Sequence, residues 1–197
     1  MTERDHPSAL HHRKDYFDDM YRHQSDPWGF ATRWYERRKF ALTMALLPHE
    51  RYRHALEPGC ANGDLTELLA QRCDRVTAYD FVESTMHRAR HRLKKSHNVS
   101  LLTEVFPNYW PSDGGDLVVW SEVAYYLELS GRKVAAESLR SWLEPGGHVV
   151  AVHYSKTTDY PASGQDVARW IDSIPGLERI ISLRDESFDA AVWRRMV

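Results

Sequence analysis

The chain has 197 residues, 42% of them hydrophobic and 27% charged, a folded globular mixture and enough chain for one domain with a real core. Lys and Arg number 26 against 28 Asp and Glu, a net charge of −2 that argues against a dedicated nucleic-acid binder. Strand-sized apolar runs, a polar start with no apolar stretch and only two cysteines, Cys60 and Cys73, give no sign of a membrane span, a secretory signal or a disulfide framework, so the expected compartment is the cytoplasm.

Residues 1–12 read as a loose tail, followed by a helix over about 13–22 that Ser25-Asp26-Pro27-Trp28-Gly29 breaks with turn chemistry. A second helix is predicted over about 32–47, ending before Pro48. Beyond it, strands and helices alternate. The predicted strands are 53–56, 75–79, 99–105, 116–121 and 148–154, and the helices 65–71, 84–95, 133–143 and 165–173. Pro145-Gly146-Gly147 ends the third of these helices. Two final strands, 178–183 and 188–194, are joined by only four residues, and so short a connection must be antiparallel. The pattern predicts a three-layer, Rossmann-like α/β fold. Its seven-stranded sheet is mostly parallel, with one antiparallel strand from a C-terminal hairpin.

In open sheets of this kind ligands bind at the carboxyl ends of the strands. The loop after the first strand reads Leu56-Glu57-Pro58-Gly59-Cys60-Ala61-Asn62-Gly63-Asp64, and its glycines allow a close backbone approach. The dinucleotide pattern G-x-G-x-x-G is absent. Glu57 at the strand end disfavours a pyrophosphate and suits an ammonium group. Asp80, 23 residues later, ends the second strand, where a carboxylate accepts hydrogen bonds from a ribose diol. An amino-acid end and a ribose end without phosphate describe S-adenosylmethionine (SAM) well and NAD poorly.

Glu57–Gly63 resembles the E/D-x-G-x-G-x-G motif of class I SAM-dependent methyltransferases, with Ala61 at the middle glycine. Asp116–Glu122 resembles their fourth-strand motif and Glu144–His148 the turn into the fifth. Alanine fits at 61 if its backbone keeps a negative φ. The resemblance implies a cofactor site of Glu57, Gly59, Cys60, Ala61, Gly63, Asp80, Ser121 and Glu122. It also implies Phe81 packed on the ribose or adenine edge, and Val105 and Phe106 forming an apolar purine contact.

Asp26-Pro27-Trp28, Trp34–Lys39 and Ser121-Glu122-Val123-Ala124-Tyr125-Tyr126-Leu127 are similar to the nodulation protein S (NodS) family. That likeness implies an N-terminal segment folded over the cofactor, with Trp28 against SAM and Lys39 near its carboxylate. Residues 1–48 are then a helical lid within the same domain as the methyltransferase body, 49–197. The namesake members N-methylate the free amine of a deacetylated chitooligosaccharide.

Cys60 reads as a small buried hydrophobe rather than a nucleophile. The basic run 87–95 reads as the solvated face of a helix. The eleven histidines show no metal-binding spacing. His153, at the end of the fifth strand, is a candidate to face the transferred methyl, and Glu122 or His153 to take or hold the acceptor proton. Tyr125, Tyr126, His153 and Tyr154 are candidate acceptor contacts. The expected activity is methyl transfer from SAM to a small-molecule amine, leaving S-adenosylhomocysteine (SAH), by a monomer or homodimer without nucleic-acid or membrane partners. The alternatives are O-methylation and a non-catalytic binding protein of the same fold.

Overall fold

The structure, a computed structural model, describes residues 9–197, with side chains from residue 15 onward. In chain order the elements are α1 (Ala9–His23), α2 (Trp34–Leu46), β1 (Tyr52–Pro58), α3 (Asp64–Arg72), β2 (Cys73–Asp80), α4 (Glu83–Arg92) and β3 (Val99–Thr103). There follow β4 (Gly115–Ser121), a single 3-10 turn (Ala124–Tyr126), α5 (Leu129–Trp142), β5 (Leu143–Tyr154), α6 (Gly164–Asp172), β6 (Leu177–Arg184) and β7 (Phe188–Arg195).

The seven strands lie in the order β3-β2-β1-β4-β5-β7-β6. Every pairing from β3 to β5 is parallel, and β7 runs antiparallel to both of its neighbours. The expected sheet, with its one reversed strand, is therefore the observed one. Strand order reverses between β1 and β4, which opens a crevice at their carboxyl ends.

The central strands are buried on both faces, which explains their near-continuous apolar sequences. Successive residues point to opposite faces. Val118 and Trp120 pack with Leu139 of α5 and Val167 and Ile171 of α6. Leu117 and Val119 pack with Phe40 of α2, Leu69 of α3 and Met86 of α4. Helix α6 begins with a capping box, in which Ser163 and Asp166 each satisfy the other's backbone N–H.

Several boundaries differ from the sequence reading. Helix α1 starts at Ala9, so residues 9–12 are helical, while residues 1–8 of the expected tail lie outside the described residues. Strand β5 begins at Leu143 and runs through the Pro-Gly-Gly turn, where Gly146 takes φ 82°. Strand β3 stops at Thr103, two residues short of the expected Val105. The basic run on α4 is only partly solvated. Arg88 donates to Asn62 (2.8 Å) and lies over the Tyr21 ring, and Arg92 pairs with Asp64 (2.8 Å), so α4 braces both the first loop and α1.

Candidate cofactor and acceptor site

The β1–α3 loop is tied down by backbone before any side chain acts. The Gly59 and Cys60 N–H groups both donate to the Tyr79 carbonyl, at 2.7 and 3.1 Å, and Gly63 N closes a turn onto the Cys60 carbonyl. Gly63 enters α3 with φ 80°, a conformation only glycine adopts freely. Ala61 is also left-handed, with φ 47°, which corrects the expectation of a negative φ. Its strain is held in part by a hydrogen bond from its N–H to Asp80 Oδ2 at 3.1 Å. Asp80 Oδ1 accepts from Val82 N at 3.0 Å, so two backbone donors fix this carboxylate at the end of β2. Burial outweighs those hydrogen bonds and raises the Asp80 pKa.

Glu57, at the end of β1, is 3% exposed and accepts one hydrogen bond, from Thr66 Oγ1 at 2.6 Å. Burial pushes its pKa up to about 8, with Asp64 and Asp80 adding to the rise against the Thr66 hydrogen bond. No ion pair reaches it among the described residues, so a cation placed beside it would be held firmly.

The same cavity, about 610 Å³, extends to the end of β4. There Lys39, 2% exposed on α2, lies 2.8 Å from Glu36 and 2.9 Å from Glu122. Glu122 has φ 55°, an uncommon backbone for a non-glycine residue that aims its carboxylate inward. It also accepts from Tyr125 Oη (2.7 Å) and Tyr154 N (3.1 Å). Burial would raise the Glu122 pKa, but Lys39, His153 and these hydrogen bonds together bring it below the ordinary carboxylate value. Aromatic rings complete the walls. Phe17 of α1 stands against Phe81 and Tyr126, with centroids 5.8 and 5.4 Å away, and Trp28 stacks on Phe30. On the far side Tyr160 packs on Tyr125 and Tyr126.

A paired strand-end Glu and Asp beside a loop held by backbone, in one cavity under an N-terminal helix, is the arrangement anticipated for SAM. The family model for nodulation protein S (NodS) matches residues 14–196. The chain belongs to the NodS family of SAM-dependent methyltransferases. It is 32% identical over 163 residues to nodulation protein S of Rhizobium tropici, covering 82% of this chain and 65% of that protein. With the Sinorhizobium fredii counterpart the identity is 31% over 164 residues, 82% of this chain and 72% of the other. The crystal structure of the N-methyltransferase NodS from Bradyrhizobium japonicum WM9, in complex with SAH, superposes with TM-score 0.83 at 24% identity, over 92% of this chain and 97% of that one.

Most residues singled out from the NodS-like and methyltransferase motifs meet in this cavity. Trp28, Lys39, Glu57, Gly59, Cys60 and Ala61 line it. So do Asp80, Phe81, Ser121 and Glu122, together with Tyr125, Tyr126 and Tyr154. Lys39 is already engaged by two carboxylates, so its charge is not free for a cofactor carboxylate. Gly63 shapes the loop from outside the lining.

Val105 and Phe106 do not reach the cavity. Because β3 ends early, Val105 is exposed at the surface and Phe106 packs on Trp120 in the core. His153 is not on the lining either. It is 2% exposed, its Nε2 has no hydrogen-bond partner, and its ring lies 5.0 Å from that of Tyr125. Burial pushes its pKa down to about 4, so it is neutral at physiological pH. This placement departs from the expectation that it faces the transferred methyl.

Tyr35, Glu36, Phe17 and Tyr160 were not anticipated. The signal for Glu36 was available, since it precedes Lys39 by one helical turn. Among the described residues no helix is long and apolar enough to cross a membrane, and no His, Cys, Asp and Glu group could hold a metal ion.

Proposed function

We propose that this protein transfers the methyl group of SAM to the nitrogen of a small-molecule amine. The observation that carries the reading is the excess of acid in one cavity. Glu57 and Asp80 stand on the cofactor side and Glu36 and Glu122 on the acceptor side, and Lys39 is the cation buried among them. Such a site favours an amino-acid ammonium at one end and a basic acceptor at the other. The Bradyrhizobium japonicum relative is an N-methyltransferase, which supports the same choice.

The cofactor supplies an electrophilic methyl group with its own leaving group. The protein's work is to bind, align and exclude water. Asp80, fixed by two backbone N–H groups, presents its remaining lone pairs to a ribose diol. Glu57 receives the ammonium. Glu122, oriented by Lys39, Tyr125 and Tyr154, holds the acceptor side of the crevice. Residues 9–48 act as a cap belonging to the same domain as 49–197, with Phe17 and Trp28 of that segment closing the aromatic wall over the site.

Incubation with SAM and a primary amine, followed by mass spectrometry for a 14 Da gain and for SAH, tests the reading. Methylated amine and equimolar SAH are expected. Methylation of alcohols in preference to amines of the same skeleton would overturn the choice of nitrogen.

A further inference from the structure

The Glu36–Lys39–Glu122 cluster is incomplete in charge. Two carboxylates share one buried ammonium, leaving a net −1 in a site where like charges are costly unless a second cation arrives. It is also incomplete in hydrogen bonds. Glu36 Oε2 is held by Lys39 at 2.8 Å, an ammonium that it shares with Glu122, and the buried Tyr35 Oη beside it has no hydrogen-bond partner. Both residues line the cavity. Buried polar atoms are nearly always satisfied, so Tyr35 Oη points to a polar ligand here, and the uncompensated carboxylate points to one that carries a positive charge with N–H donors.

We propose that Glu36 is the seat and general base for the acceptor amine, a role that rests on the amine reading above. The acceptor enters as R–NH3⁺ and completes the charge of the cluster. One N–H proton passes to the Glu36 carboxylate, giving R–NH2 and a neutral carboxylic acid. The freed lone pair forms the new N–C bond as the methyl–sulfur bond breaks, and that bond's electron pair stays on sulfur as the thioether. The product leaves as R–NH2⁺–CH3, and Glu36 then returns its proton to water.

Glu122 is the weaker candidate for this step. Its carboxylate is already occupied by Lys39, Tyr125 and the Tyr154 backbone, and is held below its ordinary pKa despite burial. Glu36 is raised instead, because burial outweighs the opposing pull of Lys39, with Glu122 and Asp26 adding to the rise. Other titratable groups about this wall are Tyr35 on α2, His153 and Tyr154 on β5, and Asp185 in the β6–β7 turn, which Arg38 of α2 pairs at 2.6 Å.

Glu36→Gln keeps shape and removes the charge. Calorimetry on the variant is expected to give an SAH Kd within threefold of wild type, which also establishes folding. Binding of D-glucosamine, its β-1,4 dimer or benzylamine to the SAH-loaded protein is expected to weaken at least tenfold. Single-turnover methyl transfer should slow by about 100-fold or more. In Glu36→Ala, added formate should restore part of the rate, which a merely structural role would not allow. Amine binding and rate within threefold of wild type in Glu36→Gln would overturn Glu36's part alone. Parallel loss of SAH binding would place Glu36 in the cofactor site and overturn it as well. Wild-type protein that binds SAH but none of these amines would instead overturn the amine reading itself.

Discussion

Asp80→Ala separates what this carboxylate does for the fold from what it does for the cofactor. The side chain accepts from the part-buried Ala61 N–H and the buried Val82 N–H, at 3.1 and 3.0 Å. Alanine leaves both donors without a protein partner, and at about 1–3 kcal/mol for each donor the loss is roughly 2–6 kcal/mol together, with the part-buried Ala61 N–H toward the low end. For a chain of this length that is a fall in Tm of roughly 5–15 °C. Asp80→Asn should cost less than half as much. It keeps one carbonyl oxygen for one of the two donors, and it discards a charge that burial already penalises, as the raised pKa of Asp80 records. Differential scanning calorimetry of the three proteins without ligand measures the fold term, and SAH titration at a temperature where all are folded measures the cofactor term. SAH affinity should fall at least tenfold in Asp80→Ala. An Asp80→Ala protein whose Tm stays within 2 °C of wild type would refute the claim that the carboxylate holds the loop.

Ala61→Gly should stabilise the protein by about 0.5–1 kcal/mol. A left-handed alanine costs roughly 1–2 kcal/mol, and the freer unfolded glycine returns part of that gain. A Tm rise of about 1–4 °C is expected, and a fall would contradict the strain at φ 47°. Lys39→Ala leaves two buried carboxylates facing one another and should cost about 3–5 kcal/mol in urea unfolding, whereas a loss under 1 kcal/mol would contradict the buried triad. The histidine contribution to stability should fall as the pH drops from about 6.5 to 4, while Glu57, raised to about 8 by burial, acts in the opposite direction between about 8 and 4.5. His153 and His148 are both pushed down to about 4, mainly by burial, so in that window the unfolded chain binds protons that the native one refuses. His153 alone contributes on the order of 3 kcal/mol over this range. The urea midpoint of His153→Gln should rise relative to that of wild type as the pH falls from about 6.5 to 4, and a difference that does not change with pH would refute the assignment.

What the sequence made legible was what sits close together in it. Glu57 and the glycines occupy one loop, and Asp80 ends the next strand, so element order alone brings them to the crevice. The alternation of apolar runs and helices likewise carried the sheet and its reversed last strand. Contacts between distant segments were not legible: Lys39 meets Glu122 across 83 residues, whereas the Glu36–Lys39 pair lies one helical turn apart and could have been read locally. His153 illustrates the parity of strands. It shares a face of β5 with Val149 and Ala151, on the side of α6, where Gly164 makes room for it, while Tyr154 next in line reaches the cavity. Placing it at the end of the strand was correct, and the face it takes is set by register. Val105 was displaced because β3 ends at Thr103 and Glu104 N closes onto the Asp80 carbonyl at 3.2 Å.

The central claim is that the crevice between β1 and β4 is a SAM site. Titrating SAM, SAH and NAD into the wild-type protein by calorimetry tests it most directly. The account predicts micromolar, one-to-one binding of both sulfur ligands and none of NAD. A folded sample that takes up neither sulfur ligand, or that prefers NAD, would contradict it.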